Sequence, residues 1–299
     1  MTAQDRFVRL AAEPMVTIAG DQKPNGTFAA FREIMQHREM LSLLVRRDLK
    51  SRYKDSVLGF AWSLVRPLMQ LLIYFVVIGK FLRAADGTPG YAVYVFSGLT
   101  IYGFFSEIIN GSTNSIIGNS GLIKKIYLPR EVFPLASLGS AGFNFLVQLV
   151  ILLAATVVTG AFPWHVQLLY AVLSVLLIVV IGFAFGLLLS AANVYLRDTQ
   201  YLVEVGLMLL MWASPIVYQW SMVKNILGHS WLLQVYTDNP ITLAVLGFQR
   251  AMWTAGAGVA QYPDHLGLRM VVALAIGVVL VFVFQRVFAR VEGNFAQEI

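Results

Sequence analysis

The densest run of chemically capable side chains lies in residues 43–75, LLVRRDLKSRYKDSVLGFAWSLVRPLMQLLIYF. Arg46, Arg47, Lys50, Arg52, Lys54 and, past a hydrophobic boundary, Arg66 supply six cations, and no further charge follows until Lys80. Arginine holds phosphate oxygens with paired N–H donors, whereas lysine offers a point charge. Arg46, Arg47, Lys50 and Arg52 therefore form a candidate phosphate-gripping set at the depth of a lipid headgroup. General attraction to anionic lipid explains the same cations equally well. A second candidate is Glu107, the only acidic residue well inside an apolar stretch. A carboxylate there is a functional candidate by default, but a structural pair, for instance with Arg66, is the stronger reading, because proton-coupled carriers usually use several such groups. A third set is aromatic: Tyr74, Phe75, Tyr102, Phe104, Phe105, Trp212 and Tyr218. Some belong to interfacial belts, and a subset lining a passage would suit the stacking of sugar rings.

Other chemistry is missing. The chain has no cysteine, which excludes disulfides and thiolate–metal sites. There is no G-x-x-x-x-G-K-[ST] phosphate loop and no H-E-x-x-H. The four histidines, His37, His165, His229 and His265, are scattered over loops and tails. No apolar stretch occupies the first 26 residues, so no cleavable signal is expected.

The elements that must position these residues are membrane helices. Hydrophobic residues make up 58% of the chain and charged ones 13%, with a mean hydropathy of +0.71, far outside soluble usage. The net charge of +6 sits beside apolar spans, which points to lipid headgroups and not to nucleic acid. Residues 1–27 read as a flexible tail. Residues 28–299 read as one all-α membrane domain opening on an amphipathic interfacial helix. Leu41, Leu44, Val45 and Leu49 share one face of that helix, and the cations lie elsewhere. Six crossings are expected at about 61–82, 93–112, 135–160, 167–192, 201–220 and 266–288. Pro67 is expected to kink the first. Gly182, Gly186 and Ser190 form a small-residue packing ridge on the fourth. The connection 221–265 is too apolar for a free loop and should form short re-entrant helices split at Asn239–Pro240. Of the 22 Lys and Arg residues, all but Lys80, Arg83, Lys224, Arg250 and Arg269 fall on the side of the N-terminus, so both termini are expected in the cytoplasm.

The segments RRDLKSRYKDSVLGFAWSLVRPL, NSGLIKKIYLPREVFPL, YLRD and SPIVY occur in that order. The chain resembles, over about residues 31–253, the permease subunits of type-2 ABC exporters of lipid-linked polysaccharide. That family exports O-antigen, capsule, teichoic acid and cell-wall galactan. The resemblance implies a homodimer in the cytoplasmic membrane, bound to two copies of a separate ATPase subunit. That subunit holds ATP and magnesium, so this chain needs no cofactor and is not an enzyme by itself. It also implies that residues 118–130 receive the ATPase, with Lys124, Lys125, Tyr127, Arg130 and Glu131 at or beside the contact. Residues 221–265 would close the passage outside. Two other readings compete. A polyprenyl-phosphate glycosyltransferase needs external acidic groups, and the first outer loop offers only Asp86. An ion-coupled carrier needs more intramembrane charge and internal repeats.

Overall fold

The structure is a computed structural model. It describes residues 32, 35–36, 38–53, 61–81, 83, 85–125, 128–228 and 230–298. The tail expected at 1–27, Lys54 and Tyr127 lie outside the described residues. All regular structure among the described residues is helical. In chain order the helices are α1 (Arg38–Tyr53), α2 (Ala61–Ile73, continued by wider π-helical turns over Tyr74–Phe81), α3 (Tyr91–Gly118), α4 (Ser120–Ile123), α5 (Val132–Val158), α6 (Leu168–Tyr195) and α7 (Thr199–Trp212). They are followed by α8 (Trp220–Leu227), α9 (Trp231–Asp238), α10 (Pro240–Met252), α11 (Leu266–Val291) and α12 (Phe295–Glu298).

Four of these, α3, α5, α6 and α11, are long and apolar enough to cross a membrane. Stretches 67–81 and 199–212 are shorter apolar helices. Helix α3 is the axis of the fold, with α5, α6, α10 and α7 packed around it. Its union with α6 needs small residues. A side chain at Gly182 would press on Ile108, and one at Gly186 would stand 2.8 Å from Ser112. Gly182 and Gly186 thus let α3 and α6 approach closely within one subunit. Asn193 of α6 also donates to the Thr113 carbonyl of α3 at 3.0 Å.

Helix α7 stops at Trp212, eight residues short of the crossing expected to Trp220. The cause is Ser214–Pro215. Proline lacks the N–H that a further turn needs, and it drives the preceding residue out of helical geometry. The irregular backbone that follows is buried at Ser214, Ile216 and Val217, so its carbonyls require partners. Side chains supply them. Gln249 donates to the Pro215 carbonyl at 2.9 Å, and Tyr91 donates to Val217 at 2.9 Å. The Tyr94 hydroxyl lies within reach of Pro215 at 3.0 Å and Tyr218 at 2.6 Å.

Asn239–Pro240 separates α9 from α10. The Asn239 side chain accepts from the Ile241 N–H at 3.0 Å, and Pro240 occupies the first turn, where its missing donor costs nothing. Helix α10 is a core helix, with Leu243, Ala244, Val245, Leu246, Phe248 and Ala251 all buried. A second, smaller apolar cluster sits at the basic end of the bundle. Leu44 of α1 belongs to it together with Ile116, Phe133, Leu187, Phe288 and Phe295.

Candidate functional site

Helix α3 carries a polar face. Gly103, Ser106, Glu107, Asn110, Asn114 and Gly118 recur every three or four residues, which places them along one side of the helix. Helix α5 answers with Ser137, Ser140, Asn144 and Gln148 at the same spacing. The two helices run antiparallel, and the contacts fix their register. The Gln148 amide oxygen lies near Gly103. Asn144 donates to a Glu107 carboxylate oxygen at 2.6 Å. Gly111 leaves room for Ser137. A polar seam therefore runs through an otherwise apolar bundle.

Two cavities open along this seam. One, of about 420 Å³, is lined by Gln70, Tyr102, Glu107, Asn110, Gln148 and Met211, among others. The other, of about 580 Å³, lies toward the basic end and is bounded by Arg47, Asp48, Asn110, Asn114, Ser140 and Gln200, among others. Asn110 lines both. Among the described residues no group of three or more His, Cys, Asp or Glu side chains is placed to hold a metal ion. The seam offers hydrogen-bonding amides, hydroxyls and one carboxylate.

The sequence profile of ABC-2 type transporters matches residues 39–253, which takes in the basic helix, the seam and α10. The chain belongs to the ABC-2 type transporter family. It is 27% identical over 259 residues to the O-antigen export system permease protein RfbA of Klebsiella pneumoniae, covering 87% of this chain and 94% of that one. It is 29% identical over 269 residues to the RfbA permease of Myxococcus xanthus, covering 90% and 98%. The polysialic acid transport protein KpsM of Escherichia coli is 21% identical over 241 residues, covering 79% and 90%. With its long apolar helices, this ABC-2 transporter is a multi-pass protein of the cytoplasmic membrane.

The ABC-2 chain places its basic helix against α5, not merely along a lipid surface. Leu44 is buried, and Val45 packs directly on Gly139. Arg46 and Lys50 are exposed. Arg52 lies in α1, but its side chain is outside the description. Arg47 is also exposed, but its guanidinium is bonded within the chain. It donates to Asp48 at 3.0 and 2.7 Å and to the Asn119 side chain at 2.6 Å, so its guanidinium straps α1 to the end of α3.

The aromatic set is divided. Tyr102 lines the smaller cavity, and its hydroxyl donates to the Leu207 carbonyl of α7. Tyr74 and Phe75 are half-buried, with the Lys80 ammonium 5.6 Å from the Phe75 ring centre. Trp212 is 51% exposed. Tyr218 donates to the Trp212 carbonyl at 2.8 Å and meets the Tyr236 hydroxyl at 3.3 Å. Phe104 and Phe105, expected on a passage, are instead core residues. Both are buried and line neither cavity, and Phe104 stacks on Phe145 at 4.7 Å. The physical reason is that α3 is enclosed by α5, α6 and α10, so most of its circumference faces protein.

The basic segment after α3 divides in the same way. Lys124 and Lys125 are exposed at the end of α4. Arg130 and Glu131 turn inward. The Arg130 guanidinium lies 5.6 Å from the Phe295 ring centre, and one of its nitrogens is buried without a hydrogen-bond partner. Glu131 is buried and accepts from Gln285 at 3.4 Å. These two anchor the segment to α11 and α12, leaving the lysines as its outward face.

The seam was missed in the sequence because its α5 half is four polar residues spread through an apolar helix.

Proposed function

We propose that this chain is the permease subunit of an ATP-driven exporter that carries a lipid-linked polysaccharide across the cytoplasmic membrane. In this reading two copies of the chain form the passage, and each engages one copy of a separate ATPase subunit, which holds ATP and magnesium. Both termini lie in the cytoplasm and the chain makes six crossings, with α2 and α7 completing the set. Helices α8 to α10 are the outward re-entrant elements. The observation that carries the reading is the polar seam of α3 and α5. A chain whose role was only to pack against lipid would not keep Glu107, Asn110, Asn114, Asn144 and Gln148 on facing helix surfaces. Family membership and the export roles named for its relatives support it. The cations of α1, Arg46, Arg47, Lys50 and Arg52, are the groups to meet phosphates of the lipid carrier, with Arg46 and Lys50 exposed and Arg47 exposed but bonded to Asp48 and Asn119. Of the aromatics, Tyr74, Phe75, Tyr102, Trp212 and Tyr218 remain to face the sugar chain.

The deciding experiment is co-purification with a candidate ABC ATPase subunit, followed by ATP hydrolysis with and without lipid-linked glycan. Stimulation by the glycan is expected. An assembled complex that is indifferent to glycan and exports none would sink the reading. Charge reversal of Lys124 and Lys125 to Glu is expected to weaken recovery of the ATPase while membrane insertion persists, because exposed charges set encounter with a soluble partner. Wild-type recovery of the ATPase in high salt would remove the lysines from the contact.

A further inference from the structure

We infer that the 580 Å³ cavity between α1, α3, α5 and α7 is a carbohydrate subsite, which reads the hydroxyls of the sugars next to the lipid carrier and not the carrier's phosphates. The inference rests on the export reading above and names what this part of the seam recognises.

Three observations carry it. The cavity is within the usual size of a small-molecule site, about 300–1,000 Å³, and most of its lining residues are amides and hydroxyls, with Arg47 and Asp48 at one side. Its one cation among the described lining residues, Arg47, is bonded to Asp48 and Asn119. Next to the neutralising Asp48 carboxylate it presents little net charge to an anion. Finally, Asn110 Oδ1, Ser140 Oγ and Gln200 Oε1 are buried without a hydrogen-bond partner, and Ser140 is only 3% exposed. Two of these atoms are acceptors only, and the hydroxyl can both accept and donate. An unmet buried acceptor calls for a ligand that brings protons. Phosphate diesters and diphosphates bring oxygens without N–H or O–H donors, so they would leave Asn110 and Gln200 unpaired. A pyranose ring brings several O–H groups, each able to donate and accept. Arg46 and Lys50 stand on the outer surface of α1. The order from lipid surface to seam is then phosphate first, sugar second.

The chain has no native cysteine, so Asn114→Cys creates a single reporter thiol at the cavity wall. In the permease–ATPase complex in nanodiscs, its labelling by a charged maleimide is measured in three conditions. These are buffer alone, inorganic pyrophosphate, and the oligosaccharide released by mild acid from the host's own lipid-linked glycan. The oligosaccharide is expected to slow labelling and pyrophosphate is not. Separately, Ser140→Ala is expected to raise the half-saturating concentration of lipid-linked glycan for ATPase stimulation by roughly two- to tenfold, the worth of one hydrogen bond. This substitution keeps the packing volume and does not depend on the thiol variant folding. Protection by pyrophosphate alone would make the cavity a phosphate site and overturn the inference. No protection by either probe, with unchanged half-saturation in Ser140→Ala and a wild-type complex that still exports glycan, would overturn it while the export reading stands. A wild-type complex that neither exports nor responds to glycan would remove both.

Discussion

Trp253→Ala is expected to destabilise this protein by about 3–5 kcal/mol, the cost of emptying a well-packed aromatic site. The indole closes the end of the bundle opposite the basic helix. It meets Tyr94 edge-on with ring centres 4.7 Å apart, and its N–H donates to the Pro89 carbonyl at 2.5 Å. Gly256 lies so close to the indole that a Cβ there would come within 2.5 Å of it. Removing the ring strands the Pro89 carbonyl and opens a void beside Tyr94. Tyr94 in turn holds the irregular stretch between α7 and α8, so the loss should spread to that backbone. Thermal unfolding of the purified chain in detergent reads the effect. Trp253→Phe separates its parts, since it keeps most of the packing and loses only the hydrogen bond, worth about 1 kcal/mol. A Trp253→Ala protein that melts with the wild type would show that the indole is not the clamp.

Gly186→Leu is expected to be nearly as damaging, through overpacking. A single methyl at this position would already stand 2.8 Å from Ser112 Cβ and Oγ, and Ser112 is fully buried. A leucine must push α3 away from α6 at a cost of about 1–3 kcal/mol or more. Because α3 carries the polar seam, polysaccharide export should fall together with the melting temperature. Gly186→Ala should show a milder loss, and Ser112→Gly in the same chain should restore part of it, because the two residues share one contact. If the double variant were no better than the sum of its parts, the clash would lie elsewhere.

Much of this arrangement could be read from residue order. The basic amphipathic run before the first apolar stretch, the glycine spacing on α6 and the Asn239–Pro240 break each follow from local chemistry that a sequence displays directly. Other features depend on which faces meet, and no local pattern encodes that. Phe104 and Phe105 look like free aromatic surface until α5, α6 and α10 are seen to surround α3. The resemblance puts Arg130 and Glu131 at or beside a partner contact, and nothing local in the sequence tells that Phe295 and Gln285 come back from the far end of the chain to meet them. Asn144 and Gln148 are unremarked polar residues in an apolar helix until the antiparallel register sets one opposite Glu107 and the other beside Gly103. The end of α7 was legible in principle, since Pro215 stands in plain view. The apolar residues on both sides of it conceal the break, because a buried irregular stretch has the same composition as a buried helix.

The polar face of α3 has a consequence for the order in which this protein is built. Of the four long helices it is the least apolar, yet it is synthesised first among them. The groups that satisfy it, Asn144 on α5 and the α6 surface that buries Ser112, do not yet exist when α3 leaves the ribosome. A helix carrying Glu107, Asn110 and Asn114 is poorly suited to wait alone in hydrocarbon. It should therefore linger at the insertion machinery until its neighbours arrive. Nascent chains arrested just beyond Gly118 should cross-link to that machinery, and chains extended past Tyr195 should be released into lipid. Equal release at both lengths would mean that α3 tolerates the bilayer unaided.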